Sequence, residues 1–411
     1  MKLGRKRLGA WRMAMAAVLT IIMVLSPIHV AGAEGTRTEA VMDQSASVAE
    51  QVSPIMALYA PPWVYDFKGK DPSVLVKNGI TYMAQEQLAS MLTDMAWDVD
   101  VQKGIVKISG PNHTLSWAKD SKYAIVNGIK RKLSGALLYK NGQFYMPLRD
   151  VITWAGGTVK AANDRELIVA YTPLSVIGGD KNRWYWVRRD NGIVYSAVGS
   201  EMPYNIGKSS VQGYQSVSLE VKQLTNDSTL LTVTHVHGEP MLADDIYKLI
   251  VYKGKIVRQS AAYYYGFHSA SSMNETEGQI VMLNGNELQL VRPDGSLQGR
   301  YDLEKLTGYK NEPFTVPYVS SSDGIALVEP YRTSIMLLVD LRTAKVIELY
   351  KELLPETEQK MLAEMKPYMN DFDYQGDRLA FVKRDGDTFV FNHGTLPVGE
   401  KTVQLTYTLK R

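Results

Sequence analysis

Between residues 72 and 173 the apolar positions fall in short runs, each closed by a turn signal. Val74-Leu75-Val76 leads into Asn78-Gly79 and then Thr81 to Met83; Leu137-Leu138-Tyr139 leads into Asn141-Gly142 and then Phe144 to Met146. An Asn-Gly pair between apolar runs predicts a tight hairpin, because both central positions of that turn take positive φ. Leu88, Met91, Leu92 and Met95 recur at helical spacing and predict a helix over 85–95; Pro147 opens a second one over 148–155. A hairpin then returns in each half, 97–101 with 104–108 and 158–160 with 166–170. Between the halves, 114–117, 123–126 and 129–133 supply further strand, with Asn127-Gly128 as a third turn. The stretch Asn78 to Met83 is thus echoed by Asn141 to Met146, and the duplicated turn, strand and helix predict a small α+β module. Upstream, Trp63, Tyr65 and Phe67 alternate and can add an edge strand.

From residue 177 onward the pattern changes to alternating runs without helical spacing: Arg183 to Val187, Thr229 to Val236, Gln279 to Leu283, Gly324 to Val328 and Asp377 to Val382. Their spacing is that of propeller blades with four strands each. Turn residues punctuate them at Asp190-Asn191-Gly192, Lys253-Gly254, Asn284-Gly285-Asn286, Pro293-Asp294-Gly295 and Arg384 to Asp387. The expected architecture is an α+β stalk-like module over 72–174, followed over 175–411 by an all-β domain, a β-propeller of about five blades with one inserted helix at 356–365. The alternative is an irregular β-sandwich or two smaller all-β units.

The first module resembles the copper amine oxidase N-terminal-like, or stalk, domain of secreted Gram-positive proteins. The likeness rests on Tyr145-Met146-Pro147-Leu148-Arg149-Asp150-Val151, which resembles that family's strand-to-helix junction, and on Asn127-Gly128 and Gly156-Gly157-Thr158-Val159. It covers about 100 residues. It implies placement rather than chemistry, since the stalk is a non-catalytic appendage of the oxidase. The oxidase cofactor tyrosine sits in an Asn-Tyr-Asp/Glu motif, and the chain contains no Asn-Tyr pair. Amine oxidation is unsupported, and no cofactor is expected.

The first 33 residues read as a secretory signal peptide: a basic start through Arg12, an apolar run from Ala14 to Leu25, and Ala31-Gly32-Ala33 before Glu34. An uncleaved anchor is the competing reading, against which stand the short apolar core and Pro27. Residues 34–71 have the composition of a disordered lead-in. Beyond residue 33 there remain 41 basic against 43 acidic residues, a formal charge of −2 that gives no reason to expect nucleic acid. The chain has no Cys, so no disulfide supports it and core burial must. The expected location is secreted or extracellular with cell-wall association, without a membrane span after signal cleavage.

Candidate chemistry is sparse. His235 and His237 share one face of a predicted strand and can chelate zinc or copper, with His268 and Glu239 or Asp244 as further ligands. Asp244, Glu329 and Asp373 are acids that a propeller could bring together for glycoside hydrolysis; Asp371 and Asp373 share a face on one local segment. No Gly-x-Ser-x-Gly elbow, phosphate loop or helix-loop-helix calcium loop occurs, and Ser116 to Lys119 matches Ser-x-x-Lys without its companion motifs. Tyr263, Tyr264, Tyr265 and Phe267 form an aromatic cluster suited to stacking on sugar rings or partner side chains. The expected function is a non-catalytic binding protein of the bacterial envelope, its partner a cell-wall polysaccharide or an envelope protein. The competing class is a carbohydrate-active hydrolase with its site in the propeller channel.

Overall fold

The computed structural model describes residues 63–66, 73–163, 166–213, 216–238, 243–266, 268, 270–364, 376–396 and 401–410. The expected signal peptide and most of the lead-in lie outside them, as do Phe67, Glu239, Phe267, Asp371 and Asp373.

In the N-terminal module the Asn-Gly turns form as their chemistry dictates. Asn78 and Gly79 take φ of 51° and 74°, Asn141 and Gly142 take 52° and 84°. Each turn closes a hairpin, Val74–Lys77 with Ile80–Ala84 and Leu138–Lys140 with Gln143–Pro147. The second strands of the two hairpins then pair antiparallel, Met83 opposite Met146, so the duplicated units meet in one four-stranded sheet. Each runs directly into a helix, Gln85–Met91 and Leu148–Trp154. The first helix is a turn shorter than the apolar spacing predicts, although Leu92 and Met95 remain buried. The chain leaves the helix at Leu92, and the following turn carries Asp94 to the module boundary. A five-stranded meander from Ala96–Asp100 to Ile129–Lys132 lies between the halves. Trp63–Asp66 pairs with Glu166–Ala170, confirming the upstream edge strand. Met83, Leu88, Trp117, Phe144 and Val151 are fully buried in one core. Each such side chain contributes about 1.5–3 kcal/mol by leaving water.

The C-terminal region is mostly strand and propeller-like in its repetition. Four four-stranded antiparallel sheets follow one another, each strand bonded to the next in sequence, and a three-stranded sheet comes last. They start at Ser175–Asp180, Ser216–Thr225, Glu275–Thr276, Phe314–Ser320 and Leu379–Asp385. The expected inserted helix stands between the fourth and fifth as Glu356–Glu364. Among the described residues no helix is long and apolar enough to cross a membrane.

The second sheet has the longest strands, Ser216–Thr225, Ser228–His237, Ala243–Tyr252 and Lys255–Tyr265. Side chains alternate across it with period two. One face puts Leu231, Val233 and Leu249 against Val187 and Val194 of the first sheet; the other puts Leu230 and Ile250 against Ile280 and Met282 of the third. A sheet buried on both faces leaves room for polar residues only where a site or a strand end accommodates them.

The two modules are fastened at Asp94. Its buried carboxylate accepts hydrogen bonds from the Tyr171 hydroxyl (2.5 Å) and the backbone N–H groups of Leu174 (3.0 Å) and Ser175 (3.3 Å). Its backbone carbonyl accepts the indole N–H of Trp186, itself fully buried in the first C-terminal sheet. Burial pushes the Asp94 carboxyl above the usual carboxylate range, against the opposing pull of these donors.

Candidate metal centre and its aromatic neighbours

His235 and His237 end the second strand of the second sheet, and period two sends both rings to the same face. The register of the next strand sets His235 opposite Asp245 and Val236 opposite Asp244. The third member of the group is therefore Asp245. Its Oδ2 lies 3.3 Å from Nδ1 of His235 and 3.0 Å from Nε2 of His237, and the two rings stack with centroids 4.3 Å apart. Two of the proposed ligands are corrected, one by the same alternation and one by its packing. Asp244 falls on the opposite face, and the ring of His268 packs edge-on against Tyr331 at 5.8 Å, away from the pair. Glu239 lies outside the described residues.

Burial holds the His235 imidazole below its ordinary range, and the neighbouring His237 adds to this, with Asp245 pulling the other way. A neutral ring is the form that binds metal. Bond lengths of about 2.0–2.1 Å in a tetrahedral zinc site put neighbouring donor atoms about 3.3 Å apart. The two separations from Asp245 to the histidines, 3.3 and 3.0 Å, are close to that edge, and all three donor atoms lie within 4.8 Å of one another. His237 and Asp245 are partly exposed, so the group is reached from solvent on their side. The outer side is less complete. Nε2 of His235 is buried and, among the described residues, has no acceptor, whereas a ligating histidine is ordinarily held through its second nitrogen. Gly213 instead packs on the ring: with φ of 143°, a Cβ there would come within 2.3 Å of Cε1. The arrangement can hold a divalent cation on three protein ligands, and without one it is a carboxylate bridging two imidazoles.

The aromatic cluster divides across the sheet. Tyr263 and Tyr265 are 54% and 46% exposed on the edge strand, Tyr263 opposite Asp245 in register. Tyr264 is a correction to the surface reading: it points to the other face, 2% exposed, and donates its hydroxyl to the carbonyl of Phe314 (2.9 Å). Phe267 lies outside the described residues. Tyr247 meets Tyr263 edge-on at 6.1 Å, linking the exposed ring to the core.

Of the acids considered for hydrolysis, Asp244 and Glu329 both act on Tyr331, whose hydroxyl is pushed up to about 12 by burial first and then by these two charges. Glu329 is itself interior, hydrogen-bonded by Ser334 and Thr315, and burial raises its carboxyl. Asp373 lies outside the described residues. Asp245 was missed in the sequence although a signal existed. In the sequence Gly238 and Pro240 are turn signals between two apolar runs, and an antiparallel return there would bring an acid of the next strand beside His235.

A search among curated proteins finds no match. Among solved structures, a protein of unknown function from Bacteroides caccae is similar at 11% identity and TM-score 0.21, covering 72% of this chain and 86% of its own. The WD40 domain of SCAP from fission yeast is similar at 11% identity and TM-score 0.22, covering 84% and 70%. The Neurospora crassa Pan2 WD40 domain gives 10% identity and TM-score 0.19, covering 82% of each chain. At these scores the likeness carries no argument, and the propeller-like description rests on the succession of sheets. Over residues 68–169 the chain matches the family model described as the copper amine oxidase N-terminal domain.

Proposed function

We propose that the protein is a secreted, non-catalytic binding protein of the bacterial envelope. Its N-terminal α+β module places it, and its C-terminal region, read as a propeller of five blades with the last of three described strands, presents the recognition surface. The observation that carries this reading is the alternation along the last strand of the second sheet: Tyr263 and Tyr265 stand exposed on an edge beside the His235, His237 and Asp245 cluster, while Tyr264 anchors the strand. Rigid tyrosines held by a buried neighbour offer large contact area at little entropic cost, which suits stacking on sugar rings. The Asp94 and Trp186 fastening supports the same reading, because a placement module transmits position only when it is fixed to what it places. The test is co-sedimentation of the mature chain with purified peptidoglycan and wall polysaccharide. Binding that is lost in Tyr263→Ala/Tyr265→Ala supports the reading, and equal binding by that variant opposes it.

A second reading is favoured by the 3.0 and 3.3 Å donor separations: the cluster carries zinc or another divalent transition metal whose open position takes part in binding.

A further inference from the structure

On the opposite face of the second sheet from the histidines, Lys248 is buried between the second and third sheets. It is 7% exposed, on a strand whose neighbours on the same face are Ile246 and Ile250. Its ammonium donates to the backbone carbonyl of Val281 (2.8 Å) and, among the described residues, meets no carboxylate within ion-pair distance. Glu220 and Glu275 attract it from farther off, and Glu275 is already paired with Lys222 at 2.9 Å. A buried ammonium with one hydrogen bond is costly, since such a group has three donors to satisfy.

Beside it is a cavity of about 190 Å³. Thr232, Thr234, Ser260, Ser271 and Asn274 line it with hydroxyl and amide groups, and Ile246, Ala262, Val281 and Leu283 supply apolar wall. Burial brings the amine down to about 8, so it keeps its proton at neutral pH. A cavity lined by one cation, several hydroxyl donors and aliphatic side chains is complementary to one negative group on a compact apolar body. An apolar cavity of about 150 Å³ accepts benzene, so this one has room for a ligand of that size with a carboxylate added.

We propose that this cavity is a binding site for a small monocarboxylate, with Lys248 as its charge partner and the Thr232, Thr234 and Ser260 hydroxyls as hydrogen-bond donors. The site lies on the other face of the sheet from the tyrosine edge and stands independently of the envelope reading.

The probes are benzoate and its neutral counterpart benzyl alcohol, titrated calorimetrically into the full chain at neutral pH, with the wild type set beside Lys248→Met and Ser271→Phe. The lysine variant removes the charge at similar volume; the serine variant keeps the charge and sets a bulky ring at the cavity's exposed rim, where Ser271 stands, to block entry. The expected result is saturable benzoate binding, with benzyl alcohol weaker by about tenfold or more and Lys248→Met reduced by a similar factor. Ser271→Phe is expected to lose both. Equal affinity for the acid and the alcohol, undiminished benzoate binding by either folded variant, or no heat from benzoate with the wild type would each overturn the proposal. If Lys248→Met does not fold, Ser271→Phe and the acid-to-alcohol ratio decide it.

Discussion

The indole N–H of Trp186 donates to the backbone carbonyl of Asp94 at 3.0 Å, and this bond joins a β-sheet of the C-terminal region to the turn after the first helix of the N-terminal module. The Asp94 side chain meanwhile holds Tyr171, Leu174 and Ser175, the segment where the chain passes from one module to the other. One residue therefore secures the boundary from both sides.

Replacing Asp94 by Ala strands a buried hydroxyl, one buried N–H group and one part-buried one. The expected loss of stability is about 3 kcal/mol, and for Trp186→Phe, which keeps the ring packing and drops the bond, about 1 kcal/mol. Urea unfolding followed by tryptophan fluorescence measures both. A loss below about 0.5 kcal/mol for Asp94→Ala would contradict the fastening role.

Removing one ligand from the His235, His237 and Asp245 group should lower zinc affinity by about tenfold to a hundredfold or more. Metal analysis after dialysis against zinc, run on the wild type, His237→Ala and Asp245→Asn, reads this directly. One zinc retained by the wild type and lost from both variants supports a centre. No retention by the wild type leaves the group as a carboxylate bridging two imidazoles.

The three consecutive tyrosines should separate by readout. Tyr264→Phe removes the hydroxyl that bonds Phe314 and is expected to cost about 1 kcal/mol of stability. Tyr263→Ala and Tyr265→Ala, at exposed positions, should change stability by about 0.5 kcal/mol or less. Thermal melts of the three single variants distinguish these outcomes.

Asp377 gives a pH dependence. It is fully buried and accepts N–H groups from Met336 (2.7 Å) and Leu379 (3.0 Å), yet burial pushes its carboxyl up to about 7, with Glu329 adding to the rise. The folded state thus binds a proton that the unfolded chain releases near the ordinary carboxylate range. Between about pH 4 and 7 the folded state holds more protons, so this residue's contribution is present in acid and is lost as pH rises through 7. The melting temperature should decline from about pH 5 to about pH 7 and level off above it, and Asp377→Asn should flatten that slope. An equal slope in the two proteins would oppose the assignment.

Much of this was legible before the structure. Turn chemistry is local, so Asn78-Gly79 and Asn141-Gly142 announced their hairpins, and the duplicated strands met as pairs. The helix over 85–95 was overextended because Leu92 and Met95 are buried by tertiary packing after the helix has ended, and burial alone mimics helical spacing. At the site, period two correctly put His235 and His237 on one face, but the same alternation was not applied to Tyr263, Tyr264 and Tyr265, which were grouped as one surface although Tyr264 is buried. What alternation could not supply was the cross-strand partner: choosing Asp245 over Asp244 depends on register, and one residue of slip moves a side chain to the other face. Lys248 was not singled out, because its significance comes from the third sheet packing over it, a contact with no local trace in the sequence.

The most direct test of the central claim is sedimentation of the mature chain with purified peptidoglycan and wall polysaccharide, in parallel with the folded Tyr263→Ala/Tyr265→Ala variant. The account predicts that the wild type sediments with the wall material and the variant stays in solution. Wild type and variant partitioning alike, whether both bound or both free, would contradict it.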